Sequence, residues 1–157
     1  MGPERFIAYA RLTYGVELTR TEADRFRGSY LALYAGVARW QDTMRGTMPR
    51  EVRTGSGRLR RFQDAFGGYC ERLNTPVQGT AADGLKQAMV LLRPRLAALG
   101  ARIVLSVHDE LLVEAPAELA EDIQQVVEQG MVEGMQAFVP DVPIVVEASV
   151  RPTWAKE

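Results

Sequence analysis

Cysteine, histidine and lysine are almost missing from this 157-residue chain, which has one Cys, one His and two Lys. A lone Cys70 excludes an intramolecular disulfide and points to a reducing compartment, so a cytoplasmic location is expected. One histidine with no second histidine or nearby cysteine is a poor ligand set for zinc. No apolar run approaches the roughly 18 residues a membrane span needs, so no membrane partner is expected. The start Met1-Gly2-Pro3-Glu4 does not read as a signal peptide.

The composition is that of an ordinary globular protein, with 46% hydrophobic and 25% charged residues. Its length suits one domain, or a large piece of one. Net charge is only -1, but its distribution is uneven. Seven arginines fall between Arg45 and Arg72, against Glu51, Asp64 and Glu71. Ten acids and no lysine or arginine fall between Asp109 and Glu147. Two solvated faces would explain this, and so would an anion-binding stripe. Basic residues are 17 arginines to two lysines, a choice that suits bidentate phosphate contacts.

The patterning predicts helices first. Pro3 to Tyr14 reads as a short helix stopped by Gly15. Thr19 with Glu22 forms a capping box opening a long helix to about Met44. Phe26, Tyr30, Leu33, Tyr34, Val37 and Trp40 recur along it at helical spacing and are expected in the core. Pro49, Gly55, Gly57, Gly67 and Gly68 then break regular structure. Glu51–Thr54 and Arg58–Phe62 flank Gly55-Ser56-Gly57 as a short hairpin. A helical pattern resumes at Tyr69, which Pro76 kinks or divides, and Leu85, Met89, Leu92 and Leu96 give it an apolar face before Gly100. A second hairpin spans Ile103 to Glu114. Pro116 opens a helix with Leu119, Ile123, Val127 and Met131 inward, and Ile144 to Val150 alternates as a third strand. The expected fold is α+β, with a small antiparallel sheet of the hairpin plus the C-terminal strand packed with several helices. No repeat or linker divides the chain, so residues 1–157 read as a single domain or a large piece of one.

Two constellations could carry chemistry. His108-Asp109-Glu110 stands at the turn between two apolar strands. Neighbours on a strand face opposite ways, but a turn relaxes that rule. Mg²⁺ takes hard oxygens, commonly one or two carboxylates with phosphates and water, so Asp109 supplies part of a metal site. A solvated polar tip accounts for the same residues. The second constellation runs from Glu71 to Asp83. Asn74 and Gln78 share one helical face, which Gly79, Thr80, Ala81 and Ala82 keep low. Such a face can approach a duplex closely and reach minor-groove acceptors common to all base pairs. It can equally serve close helix packing.

Together the two are more specific. Asn74-Thr75-Pro76-Val77-Gln78-Gly79-Thr80-Ala81-Ala82-Asp83 followed by Ser106-Val107-His108-Asp109-Glu110 resembles the C-terminal part of family A DNA polymerases, the bacterial DNA polymerase I type. Thr54 to Arg61 is similar to the family's arginine-rich loop, and Val142 to Glu147 with Trp154 to its ending. The resemblance covers nearly the whole chain. It implies a palm and partial-fingers fragment of a DNA-directed DNA polymerase, a nucleotidyltransferase of DNA replication and repair.

By that resemblance Asp109 is the catalytic, metal-binding aspartate and Glu110 the adjacent, secondary acid. His108 contacts the primer end, Gln78 the minor groove and Asn74 the template side. Arg58, Arg60 and Arg61 contact the DNA backbone, and Arg72 is grouped with them as a DNA-binding residue. The implied cofactor is Mg²⁺ in a two-metal site, and the implied partners are primer-template DNA, dNTP and the N-terminal part of the polymerase domain. Neither the family's Asp-Tyr-Ser segment with its second aspartate nor its lysine-bearing fingers helix is found here; Lys86 and Lys156 stand outside that pattern. Cys70 stands four residues before Asn74, where many relatives carry arginine. The isolated chain is therefore expected to be inactive. A non-catalytic DNA- or partner-binding module and an unrelated metal-dependent hydrolase using Asp109 and Glu110 are the alternatives.

Overall fold

The computed structural model describes residues 2–64 and 68–154. Gly67 and Lys156 lie outside the described residues. The chain divides into two compact units, residues 1–48 and 49–157, although no linker composition marks the division.

The first unit is helical: α1 (Pro3–Tyr14), α2 (Arg20–Leu33) and α3 (Ala35–Thr47). Gly15 closes α1 in the left-handed region at φ 66°. The capping box forms as expected, with Glu22 N donating to Thr19 Oγ1 at 3.2 Å and Thr19 N donating to Glu22 Oε2 at 2.9 Å. The Glu22 carboxylate accepts from both Thr19 N and Thr19 Oγ1, which hold it below its ordinary pKa. Ala10 and Ala23 are buried, one on each of the two contacting helices. The expected single helix to Met44 is instead two, because Tyr34 leaves the helical basin at φ -104°, ψ 59°. The aromatic stripe is corrected in part: Val37 and Trp40 are half-buried, while Phe26, Tyr30, Leu33 and Tyr34 are exposed rather than core. Three short helices offer too little opposing surface to cover them.

The second unit holds two hairpins and two long helices. Strands β1 (Glu51–Arg53) and β2 (Leu59–Arg61) pair antiparallel around the Gly55-Ser56-Gly57 turn. Helix α4 (Tyr69–Ala98) runs unbroken through Pro76 and Pro94, so Pro76 neither ends nor divides it. Strands β3 (Arg102–Val107) and β4 (Glu110–Glu114) form the second antiparallel hairpin. A short 3₁₀ turn, Ala117–Leu119, leads into α5 (Ala120–Gln136).

Glycine and alanine let α4 and α5 lie close. A Cβ at Gly134 would stand 2.5 Å from the Ala88 backbone nitrogen, and one at Gly130 would stand 2.5 Å from Leu92 Cδ2. Arg95 of α4 donates to Glu133 of α5 at 2.6 Å. The core beneath comprises Leu92, Leu96, Ala101, Ile123 and Val127. Ile103, Leu111 and Val113 attach the second hairpin to it. Register slips at Val104, since Ile103 pairs with Val113 but Leu105 with Leu112. That bulge leaves Val104 and Leu105 exposed.

The α+β reading holds, with two two-stranded antiparallel sheets. The expected third strand does not form. Residues 144, 146 and 148 are half-buried while 145, 147 and 149 are exposed, so the period-two pattern is real. Its partner is a helix rather than a ladder: Gln124 Nε2 of α5 donates to the Ala148 carbonyl at 2.9 Å. An alternating sequence reports one covered face and does not say what covers it.

Candidate nucleic-acid interface and metal-binding turn

The β3–β4 connection is a two-residue turn, His108-Asp109, closed by the Val107–Glu110 pair. His108 sits at φ 54°, the left-handed region that histidine enters more readily than most residues. His108, Asp109 and Glu110 are all exposed. Their mount is rigid, because the strands behind them are tied to the core through Ile103, Leu111 and Val113. The Asp109 carboxylate offers the hard oxygens Mg²⁺ prefers. Among the described residues, however, no group of three His, Cys, Asp or Glu side chains is placed to hold a metal ion. The donor set therefore fits a metal in part: one exposed carboxylate and its neighbour.

On α4 the predicted amide face forms. Asn74 and Gln78 are exposed, while Thr75, Thr80 and Asp83 are buried around the other side. The first hairpin comes close at Gly79, since a Cβ there would collide with the Thr54 methyl. Gly55 N donates to Thr80 Oγ1 at 2.7 Å from across that contact. Gly79 and Thr80 thus pack against the first hairpin, while Ala81 and Ala82 stay exposed.

The arginines of the first hairpin are held in place. Arg58 Nε donates to Asp83 Oδ1 at 2.9 Å, and its Nη2 donates to the Gly79 carbonyl at 3.1 Å. Arg60 pairs with Glu71 and also reaches Thr75 Oγ1 at 3.2 Å, so it stands beside Asn74. Arg61 pairs with Glu51 across the hairpin at 2.9 Å. All three remain exposed.

Arg72 differs and corrects the expectation that grouped it with the DNA-binding residues. It is 0% exposed. Its Nε donates to the Pro49 carbonyl at 2.9 Å and its Nη2 to the Asp64 carbonyl at 2.6 Å, and its guanidinium lies over Phe62. A guanidinium so enclosed ties the chain around the first hairpin to α4 and has no open edge for a phosphate.

Asp83 is the residue whose importance the sequence did not reveal. Its buried carboxylate accepts from Thr54 Oγ1, from Ser56 Oγ at 2.6 Å and from Arg58. Burial pushes its pKa up, but the bonds from Ser56 and Thr54 and the charge of Arg58 outweigh that and hold it below the ordinary carboxylate value. The partners lie 25 to 29 residues away, so no local spacing could have shown them. Asp83 and Arg58 thus join the arginine loop to the amide helix. No hydrogen bond or ion pair among the described residues joins His108, Asp109 or Glu110 to either.

The second unit thus combines a helix with an outward amide face, an arginine hairpin latched to it and a carboxylate turn on an apolar mount. Comparison with known proteins places the chain in a family. The family model for DNA polymerase family A matches residues 7–156. DNA polymerase I of Aquifex aeolicus is 32% identical over 153 residues, covering 95% of this chain and 26% of that protein. DNA polymerase I of Deinococcus radiodurans is 39% identical over 159 residues, covering 92% of this chain and 16% of that protein. Among solved structures, the polymerase domain of Pol1 from M. smegmatis, in complex with DNA primer-template and dNTP, matches with a TM-score of 0.63. It is 27% identical, and the match covers 84% of this chain and 27% of that one. The chain belongs to DNA polymerase family A. It spans about a sixth to a quarter of the length of these two relatives.

Proposed function

We propose that this chain supplies the duplex-binding helix and one metal-binding carboxylate of a template-directed DNA polymerase. The observation that supports this most directly is that Asn74, Gln78 and Asp109 are exposed in one compact unit of a chain the family matches over residues 7–156. Asn74 and Gln78 face the primer-template duplex, Gln78 in the minor groove. Arg58, Arg60 and Arg61 lie along its phosphates. Asp109 and, in a secondary role, Glu110 hold Mg²⁺, and His108 meets the primer end. Mg²⁺ held there would supply acidity for the primer 3′-hydroxyl and positive charge for the attacked phosphate. The chain's own share is positioning, which carries much of phosphoryl-transfer catalysis. Its single cysteine suits a reducing compartment, the cytoplasm.

The isolated chain is inactive in this reading, because Asp109 and Glu110 alone do not complete a two-metal site. Primer extension with the purified chain and Mg²⁺ is the test. No synthesis is expected from the chain alone. Synthesis is expected once a polypeptide carrying the rest of a family A polymerase domain is added, and Asp109→Ala abolishes it. Robust synthesis by the chain alone would overturn the inactive assignment. Salt-sensitive DNA binding with no synthesis after that addition, and no effect of Asp109→Ala in any assay, would favour a non-catalytic binding module.

A further inference from the structure

The Asp83 carboxylate is buried on α4 one turn beyond Gly79, yet its side-chain partners among the described residues come from the first hairpin: Thr54, Ser56 and Arg58. The arrangement at Arg58 is asymmetric. Its Nε and Nη2 edge is taken by Asp83 Oδ1 and the Gly79 carbonyl, at 2.9 to 3.1 Å. Its Nη1 makes no hydrogen bond among the described residues, and the side chain is 51% exposed. One edge is locked beside Gly79, next in sequence to Gln78, and Nη1 is left over on a half-exposed side chain.

We infer that Asp83 is a positioning residue for duplex DNA, fixing Arg58 so that its free Nη1 edge meets a backbone phosphate beside Gln78. The inference rests on the duplex-binding reading above. The physical advantage is preorganisation. A free arginine loses rotamer freedom when it binds a phosphate, whereas Arg58 is already ordered in the folded chain. Asp83 does not touch DNA and acts only through Arg58.

A double-mutant cycle on duplex affinity tests this, using the full chain and a short primer-template at low salt. Asp83→Asn and Arg58→Ala are each expected to weaken binding by about tenfold, the scale of one charge-assisted contact. The double variant should bind no more weakly than Arg58→Ala alone. Arg58→Lys provides a second arm that leaves Asp83 unchanged. Lysine keeps the charge but cannot offer one edge to Asp83 and another to a phosphate, so it should lose as much as Arg58→Ala. If the Asp83→Asn loss persists in the Arg58→Ala background, Asp83 is only structural and the inference fails. It also fails if Asp83→Asn binds equally or more tightly, or if Arg58→Lys binds like the unsubstituted chain. If the unsubstituted chain shows no salt-sensitive duplex binding, the duplex-binding reading fails and takes this inference with it.

Discussion

The Arg72 guanidinium lies 4.2 Å from the centre of the Phe62 ring, inside the fold and between two loop carbonyls. Arg72→Ala leaves the Pro49 and Asp64 carbonyls without these donors and opens a void beside Phe62. We expect it to cost about 2–4 kcal/mol in chemical denaturation of the chain. Arg72→Lys should recover less than half of that, since an ammonium cannot serve two carbonyls and stack on a ring as a planar fork does.

Two glycine-to-alanine changes on helices should move stability in opposite directions. At Gly134 of α5 a Cβ meets the Ala88 backbone, which cannot swing aside. Gly134→Ala should therefore destabilise by about 1–3 kcal/mol. At Gly28, inside α2, a Cβ meets nothing within 4 Å. Gly28→Ala should stabilise its helix by about 0.5–1 kcal/mol. Thermal unfolding of each variant checks both signs.

Asp83 gives stability a specific dependence on pH. Its folded pKa lies below the ordinary 3.8, so the unfolded chain binds the proton more readily. The stabilisation is complete above the ordinary value and is lost as pH falls through the lower, folded one. Urea midpoints measured from about pH 6 down to about pH 2 should fall less steeply in Asp83→Asn than in the unsubstituted chain. Equal slopes would show that Asp83 is not held ionised by Thr54, Ser56 and Arg58.

His108 tests the turn apart from its ring. At φ 54° with an exposed side chain, the backbone should accept His108→Gly or His108→Asn with little loss. His108→Val should cost about 1–2 kcal/mol, because a β-branched residue is strained there. In an enzyme restored by the remaining polymerase segment, the valine variant should also lose synthesis that the asparagine variant partly retains. Equal activity in the two would mean that the turn geometry does not matter to Asp109.

Much of this was legible along the chain. The Thr19–Glu22 box, the Gly15 stop and the Gly55-Ser56-Gly57 turn are local devices whose bonds close within a few residues. The apolar runs flanking His108-Asp109 similarly gave a hairpin whose turn is the expected one. The aromatic stripe, the third strand and Arg72 were misread for a shared reason. Periodicity says that a face is apolar or alternating, and residue type says that a side chain is charged. Neither says what stands opposite.

By itself the sequence determined the first helix with its Gly15 stop, the Thr19 start of the second and both hairpin turns, because their bonding is short-range. Only the tertiary structure decided that Arg72 is enclosed, that residues 144–150 lie on α5, and that Asp83 latches the arginine loop to α4. Those outcomes depend on contacts between segments 8 to 29 residues apart. Burial and hydrogen bonding across such separations are set by how the elements meet, which no local pattern records.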